Sequence, residues 1–156
     1  MTTAEARPAA QRKADTLAKL GEAEIDGWVA TASLDAEGAP REHMVPLSLA
    51  WIDERIVVAV ELTSVTARAI ETTGRARVGI GPTRDVVMID AVLERSMNTA
   101  DAPTDLASAY VAQAGWDPGR GDGYVYLVLQ PRRIQAWREA NEIPGRTLMR
   151  RGTWLL

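Results

Sequence analysis

What most constrains this chain is a rhythm of short β-prone runs broken by tight turns. Asp26 to Ser33, centred on Trp28-Val29-Ala30-Thr31, gives way to Asp35-Ala36-Glu37-Gly38. Glu42 to Trp51 returns, Asp53-Glu54-Arg55 turns again, and Ile56 to Val60 follows. Acidic residues and glycine at these spacings suit turns, Gly38 because a positive φ costs it little. Strands joined this closely run antiparallel, since a parallel pair needs a crossover of roughly a dozen residues. Pro46 lacks an amide donor, so the second run is expected to be bulged or at an edge there.

The pattern continues downstream. Val65 to Thr73 has helical composition and ends at Gly74. Arg77 to Gly81 and Asp85 to Leu93 read as two strands joined by a Gly-Pro turn. A helix opens at Ala102-Pro103-Thr104-Asp105 and runs to about Ala114, with Asp101 or Thr104 as candidate caps. After the Gly/Asp/Pro loop from Trp116 to Gly123, Tyr124 to Leu129 and Arg133 to Trp137 are two strands separated by Pro131, the second being the last. Ahead of everything, Ala9 to Leu20 forms a short amphipathic helix stopped near Gly21, and residues 1–8 are expected to fray. The sum is a mainly β chain with α decoration: a barrel or sandwich of six to seven antiparallel strands with about three helices. Its 156 residues suit one domain, 22–156, behind an N-terminal helix or arm, 1–21.

Composition narrows function by exclusion. A net charge of −3 argues against nucleic acid and anionic membranes as partners, which call for a basic footprint. Without cysteine there are no disulfides, thiol nucleophiles or thiolate-held clusters. No run approaches the roughly 18 apolar residues that span a bilayer. Met1 to Gln11 lacks the apolar core of a secretory leader, so a cytoplasmic setting is expected. His43 is the only histidine, with no nucleophile-elbow sequence and no metal-ligand spacing around it, so no metal site is expected. Gly79-Ile80-Gly81-Pro82 lacks the third glycine of a dinucleotide loop, and Pro82 blocks the helix that should follow. Asp85 and Asp90 fall on opposite sides of a strand, and Arg75 and Arg77 share one face as a solvated pair.

Two constellations carry chemistry. Thr63-Ser64-Val65-Thr66-Ala67-Arg68 gathers hydroxyls and a guanidinium where a strand hands over to a helix. Unpaired amides at a helix start attract phosphate, although the ordinary task of Thr63 or Ser64 there is to cap the helix. The second is the tail, where Trp137 is followed by Arg146, Arg150 and Trp154. A rigid guanidinium fork beside an indole face suits a flat anionic ligand.

In this order, with the strand Gly38 to Ser48, the Thr63–Arg68 turn, Gly74-Arg75-Ala76-Arg77-Val78 and the Trp137…Arg146…Arg150 tail, the chain resembles the pyridoxamine 5′-phosphate oxidase-like superfamily. The resemblance implies a split β-barrel over residues 22–156 that uses FMN or, alternatively, a deazaflavin coenzyme. It also implies a homodimer with the cofactor at the interface and a small-molecule substrate. The family's phosphate-binding strand Arg and Lys fall on His43 and Ser48, and its Ser-Arg-Lys on Ser64, Val65 and Thr66. Ser64 is kept, and Arg68, one helical turn in, is the substitute for the missing basic ligands. Strand positions including Val45 and Val60 would line the ring, with Trp137 beside it and Arg146 and Arg150 as the catalytic pair. The family's substrate histidine becomes Leu148, which argues against pyridoxamine phosphate itself as substrate. The implied activity is oxidation or reduction of another small organic molecule. The competing reading is a non-catalytic barrel that binds haem, through His43, or another small ligand.

Overall fold

The computed structural model describes residues 4–156. Helix α1 (Ala9–Leu20) turns Arg12, Thr16 and Leu20, spaced one turn apart, onto the protein. Strands β1 (Asp26–Leu34), β2 (Pro40–Ile52) and β3 (Arg55–Glu61) form the meander. Helix α2 (Val65–Thr73) leads to β4 (Arg75–Ile80) and β5 (Val86–Asn98). Helix α3 (Thr104–Ala114) precedes β6 (Tyr124–Trp137), and a short hairpin, β7 (Thr147–Arg150) and β8 (Thr153–Trp154), ends the chain. The sheet runs β3-β2-β1-β4-β5-β6-β7-β8, and β3 also pairs with β6. That pairing closes six antiparallel strands into a barrel and leaves β7 and β8 as an extension.

Alternation decides what fills the barrel. Val29, Leu49, Ile56, Val58, Val78, Ile80, Ile89, Leu127 and Ile134 point inward into one aliphatic core. Ala67 and Ile70 of α2 join that core. A second cluster forms outside the wall, where Leu106, Tyr110 and Ala114 of α3 cover Ala50, Val57, Ala59, Tyr126 and Val128. Gly38 takes its expected left-handed conformation, φ 80°. The next turn is less usual, since Asp53 and Glu54 both have positive φ, 50° and 58°. Glu54 is also tethered, its carboxylate accepting the Trp154 indole N–H at 3.1 Å.

Pro46 stands opposite Trp28 in unbroken register. From Pro40 to Ser48 β2 pairs with β1 alone, because its pairing with β3 starts at Leu49. Of the two sequence expectations for Pro46, the edge is therefore the one realised. Four differences from the sequence reading stand out. Arg133–Trp137 is not the last strand, since the β7–β8 hairpin follows it. Strand β5 runs on to Asn98, five residues past Leu93. The segment Ala4–Pro8 is held rather than frayed, its Ala4 carbonyl accepting a bond from Asn141 and its Arg7 bonding Glu142.

The fourth is that Tyr124–Leu129 and Arg133–Trp137 are one strand crossing Pro131. Ala91 pairs with Pro131 and Asp90 with Arg133, so Arg132 is the extra residue of a β-bulge. The bulge shifts the alternation by one position. Leu127 and Leu129 point inward before it, Ile134 and Ala136 after it. Arg132 and Arg133 are consecutive and both exposed.

Candidate functional site

Among the described residues no helix lies across the outside of β1, β4, β5 and the second half of β6, and only Thr73, at the end of α2, reaches the edge of that face. Small residues form its floor: Ala30 and Ala32 of β1, and Gly79 of β4 opposite Trp28. A Cβ on Gly79 would come within 3.3 Å of the Met88 sulfur, so glycine keeps this floor low. A groove of about 600 Å³ crosses the face, walled by Ala30, Ala32, Arg75, Arg77, Val92 and Arg132. A second recess of about 290 Å³ adjoins it, bounded by Met88, Arg133, Gln135, Trp137 and Arg146. Arg77 and Asp90 belong to both. Together they fall in the size range of small-molecule sites.

Charge is the distinctive property. Five arginines (75, 77, 132, 133 and 146) line the two recesses with one carboxylate, Asp90. Asp90 bonds the Arg77 Nε at 2.6 Å and lies 3.7 Å from Arg133 Nη1. The hydrogen bond donated to Asp90 holds the Arg77 guanidinium proton more firmly than usual. Arg75, Arg132 and Arg146 have no carboxylate partner among the described residues. A local cationic excess in a chain of net charge −3 focuses attraction for anions on this face.

The far end of the groove is a shelf. The Arg146 guanidinium sits 5.0 Å from the centroid of the Trp137 ring, within cation–π range. Arg133 donates to the Gln135 amide oxygen at 2.8 Å, and the Gln135 amide donates to Thr147 Oγ1 at 3.1 Å. These bonds orient the polar groups beside the indole. Arg146 reaches the shelf because its carbonyl accepts from the Ala136 amide at 3.0 Å, just before β7 begins.

The other residues picked from the sequence are dispersed. Ser64 caps α2, its hydroxyl accepting the Ala67 amide at 3.1 Å, and Thr66 is buried behind it. Arg68 is exposed on the first turn of the same helix. Val60 is buried in the barrel core. His43 and Val45 are half-buried, on the face of β2 that carries Leu49 into the core. Ser48, on the opposite face, donates to Asp26 at 3.0 Å. Arg150 is exposed on β7. Trp137 and Arg146 are brought together, Ser64, Thr66 and Arg68 share a helix start, and none of the α2, β2 or β3 positions lines the arginine groove. Sequence reasoning passed over Arg75, Arg77, Asp90, Arg132 and Arg133 as site residues. The period-two pair Arg75 and Arg77 was the available signal. Arg132 gave none, because only the bulge places it beside Arg133.

Among the described residues there is no cluster of three or more metal-ligating side chains, and no helix is long and apolar enough to cross a membrane. No protein-family model and no curated protein matches the chain. Solved structures do. An F420 reductase is 17% identical with a TM-score of 0.52, over 74% of this chain and 92% of its own. A proposed pyridoxamine 5′-phosphate oxidase from Listeria innocua is 10% identical with a TM-score of 0.59, over 81% and 98%. A haem-binding protein from Mycobacterium smegmatis is 20% identical with a TM-score of 0.58, over 86% of this chain and 56% of the other. At such identities the likeness is one of architecture, and the chain has the split β-barrel fold that these three kinds of protein share.

Proposed function

We propose that this chain is an FMN- or deazaflavin-dependent oxidoreductase acting on a small organic substrate, with the cofactor lying in the arginine groove. The observation that carries the reading is the groove itself: five guanidiniums over a floor of alanine, ending at the Trp137–Arg146 shelf. A flat ring with an anionic tail matches that donor set, the ring against the indole and the anion among the arginines. Haem matches it less well, because the only histidine, His43, does not line the groove.

When bound, the flavin or deazaflavin ring supplies hydride chemistry. The chain's own residues bind and polarise. Trp137 offers a rigid apolar face, and Arg146 sets a fixed positive charge beside it, suited to negative charge developing nearby. Arg77 and Arg133, held by Asp90, keep their forks oriented for an anion. Arg150 lies outside this lining, so the polarising role falls to Arg146. The same face exposes Trp28 (53%) and Met44 (60%), which supports a second copy covering the groove and excluding water from it.

The test is titration of the purified protein with FMN and with the deazaflavin coenzyme, followed by absorbance. Saturable uptake is expected, weakened about tenfold in Arg77→Ala and in Arg146→Ala, a loss near 1.4 kcal/mol for each. A loss in Arg68→Ala with none in Arg77→Ala would move the anion to the α2 start. Uptake of neither cofactor sinks the assignment.

A further inference from the structure

The segment from Arg138 to Arg146 leaves β6 directly after Trp137 and returns to β7 with Arg146 in place over the same indole. Its own contacts are sparse. Ala140, Asn141, Ile143, Pro144 and Gly145 are all exposed, and one 3₁₀ turn, Ala140–Glu142, gives it its only regular shape. What holds its middle is the other end of the chain. Glu142 is 3% exposed, and its carboxylate accepts three bonds from Arg7: the backbone amide at 3.0 Å, Nε at 2.9 Å and Nη2 at 2.8 Å. The same carboxylate accepts the Arg138 amide at 2.8 Å, which ties down the start of the loop. Arg12, itself buried, donates to the Glu142 carbonyl at 3.2 Å, and Asn141 donates to the Ala4 carbonyl at 2.7 Å. Each of these anchors comes from Ala4–Arg12 or meets the carboxylate that Arg7 grips; the start of the loop is held separately as well, Glu139 by two bonds from Arg84 at 3.0 Å and Arg138 by Asp85 at 3.2 Å.

We infer that Arg7 is a positioning residue: through Glu142 it fixes the 138–146 loop and so sets the Arg146 guanidinium over Trp137. The role of Arg146 in cofactor binding rests on the function proposed above. The mechanical link from Arg7 to the loop does not. Removing the Arg7 fork leaves a buried carboxylate facing only the two backbone amides of residues 7 and 138, and the loop loses its strongest side-chain anchor. The barrel strands share none of these bonds.

The experiment compares wild type, Arg7→Ala, Arg146→Ala and the double variant, all as full-length chains. Hydrogen exchange without cofactor is read first. Amides from Glu142 to Arg146 are expected to exchange at least tenfold faster in Arg7→Ala, with those of the β3–β6 seam unchanged. FMN uptake is read second. Arg7→Ala is expected to weaken it, and the double variant to be no weaker than Arg146→Ala alone, because the two act through one contact. Unchanged loop exchange overturns the inference, and so do fully additive losses of uptake. If wild type takes up no flavin, the proposed function fails while the exchange result still decides this point. If Arg7→Ala does not fold, Arg7→Lys, which keeps the charge but not the fork, is read in the same way.

Discussion

The outside of this barrel has two flanks of opposite character. Along β3 and the first half of β6 it is sealed: α3 lays Leu106 and Tyr110 over Val57, Ala59, Tyr126 and Val128, with Tyr110 packed edge-on to Tyr126 at 5.2 Å. Burial there pushes the Tyr110 hydroxyl up to about 12. Along β1, β4 and the second half of β6 the wall is bare, floored by small residues and rimmed by arginine. Strand β6 serves both flanks, and the change comes at the Pro131–Arg133 bulge. With the proposed function, the contrast assigns stability and binding to different stretches of one strand. Changes on the sealed flank should cost folding energy, and changes on the open flank should cost affinity.

The largest effect expected is Tyr110→Ala, which leaves an aromatic-sized hole under α3. Its cost by denaturant unfolding should be about 3–5 kcal/mol, with FMN uptake by the folded fraction unchanged. A lower cost combined with weakened uptake would erase the division between flanks. Glu142→Gln comes next. It keeps the shape and loses charge-assisted bonds from Arg7, for about 1.5–3 kcal/mol. The pH dependence has a definite sign. Arg7 first, then the backbone amides of Arg7 and Arg138, hold the Glu142 carboxyl down from 4.5 to about 2. A depressed carboxylate stabilises the fold above its unfolded value and loses that contribution on protonation. The stability difference between wild type and Glu142→Gln should therefore be largest above pH 4.5 and vanish as pH falls toward about 2. A constant gap across that range would remove the Arg7 pairing as its cause.

Two smaller effects probe the open flank. Trp28→Ser should leave the unfolding free energy within about 0.5 kcal/mol, as for a surface position, while shifting the mass seen by light scattering from dimer to monomer. An unchanged dimer mass would place the proposed second copy elsewhere, and a monomeric wild type would remove it. A similarly small change in stability is expected for deletion of Arg132. Because it is the extra residue of a bulge, its loss restores a regular ladder from Gln130–Val92 to Ile134–Ile89 without inverting any side chain. We expect a cost within about 1 kcal/mol, with FMN uptake weakened by the loss of one guanidinium. Unfolding on deletion would show that the bulge is needed to shape the barrel.

Local signals made much of the fold legible. Helices α1 and α2 have the limits that their periodicity, Gly21 and Gly74 predict, and α3 ends at Ala114 as expected. The meander follows from its turns. The errors came where the local rule and the tertiary one diverge. A shift of alternation at Pro131 reads as a strand break, yet a bulge produces the same shift within one strand. The β7–β8 hairpin is two strands of four and two residues with weak β pattern in sequence terms, and pairing with Ile134 and Gln135 is what makes the first of them a strand. The site was less legible. Ser64 does the common task of a serine before a helix. Arg75 and Arg77 were visible as a pair, but the third wall, Arg132, depends on bulge geometry. The Arg7–Glu142 bond spans 135 residues of sequence, beyond the reach of any local pattern.

The seam where β3 meets β6 sets how this barrel is made. Val57 finds Val128 across about seventy intervening residues, whereas β1 and β2 meet through a single turn. Entropy favours the short-range hairpins early and this long closure late. Val128→Ala should therefore steepen the rate of opening in a chevron experiment and leave the rate of formation nearly untouched. A barrel that opens first at this joint would come apart beneath α3, with the arginine face the last to lose its shape.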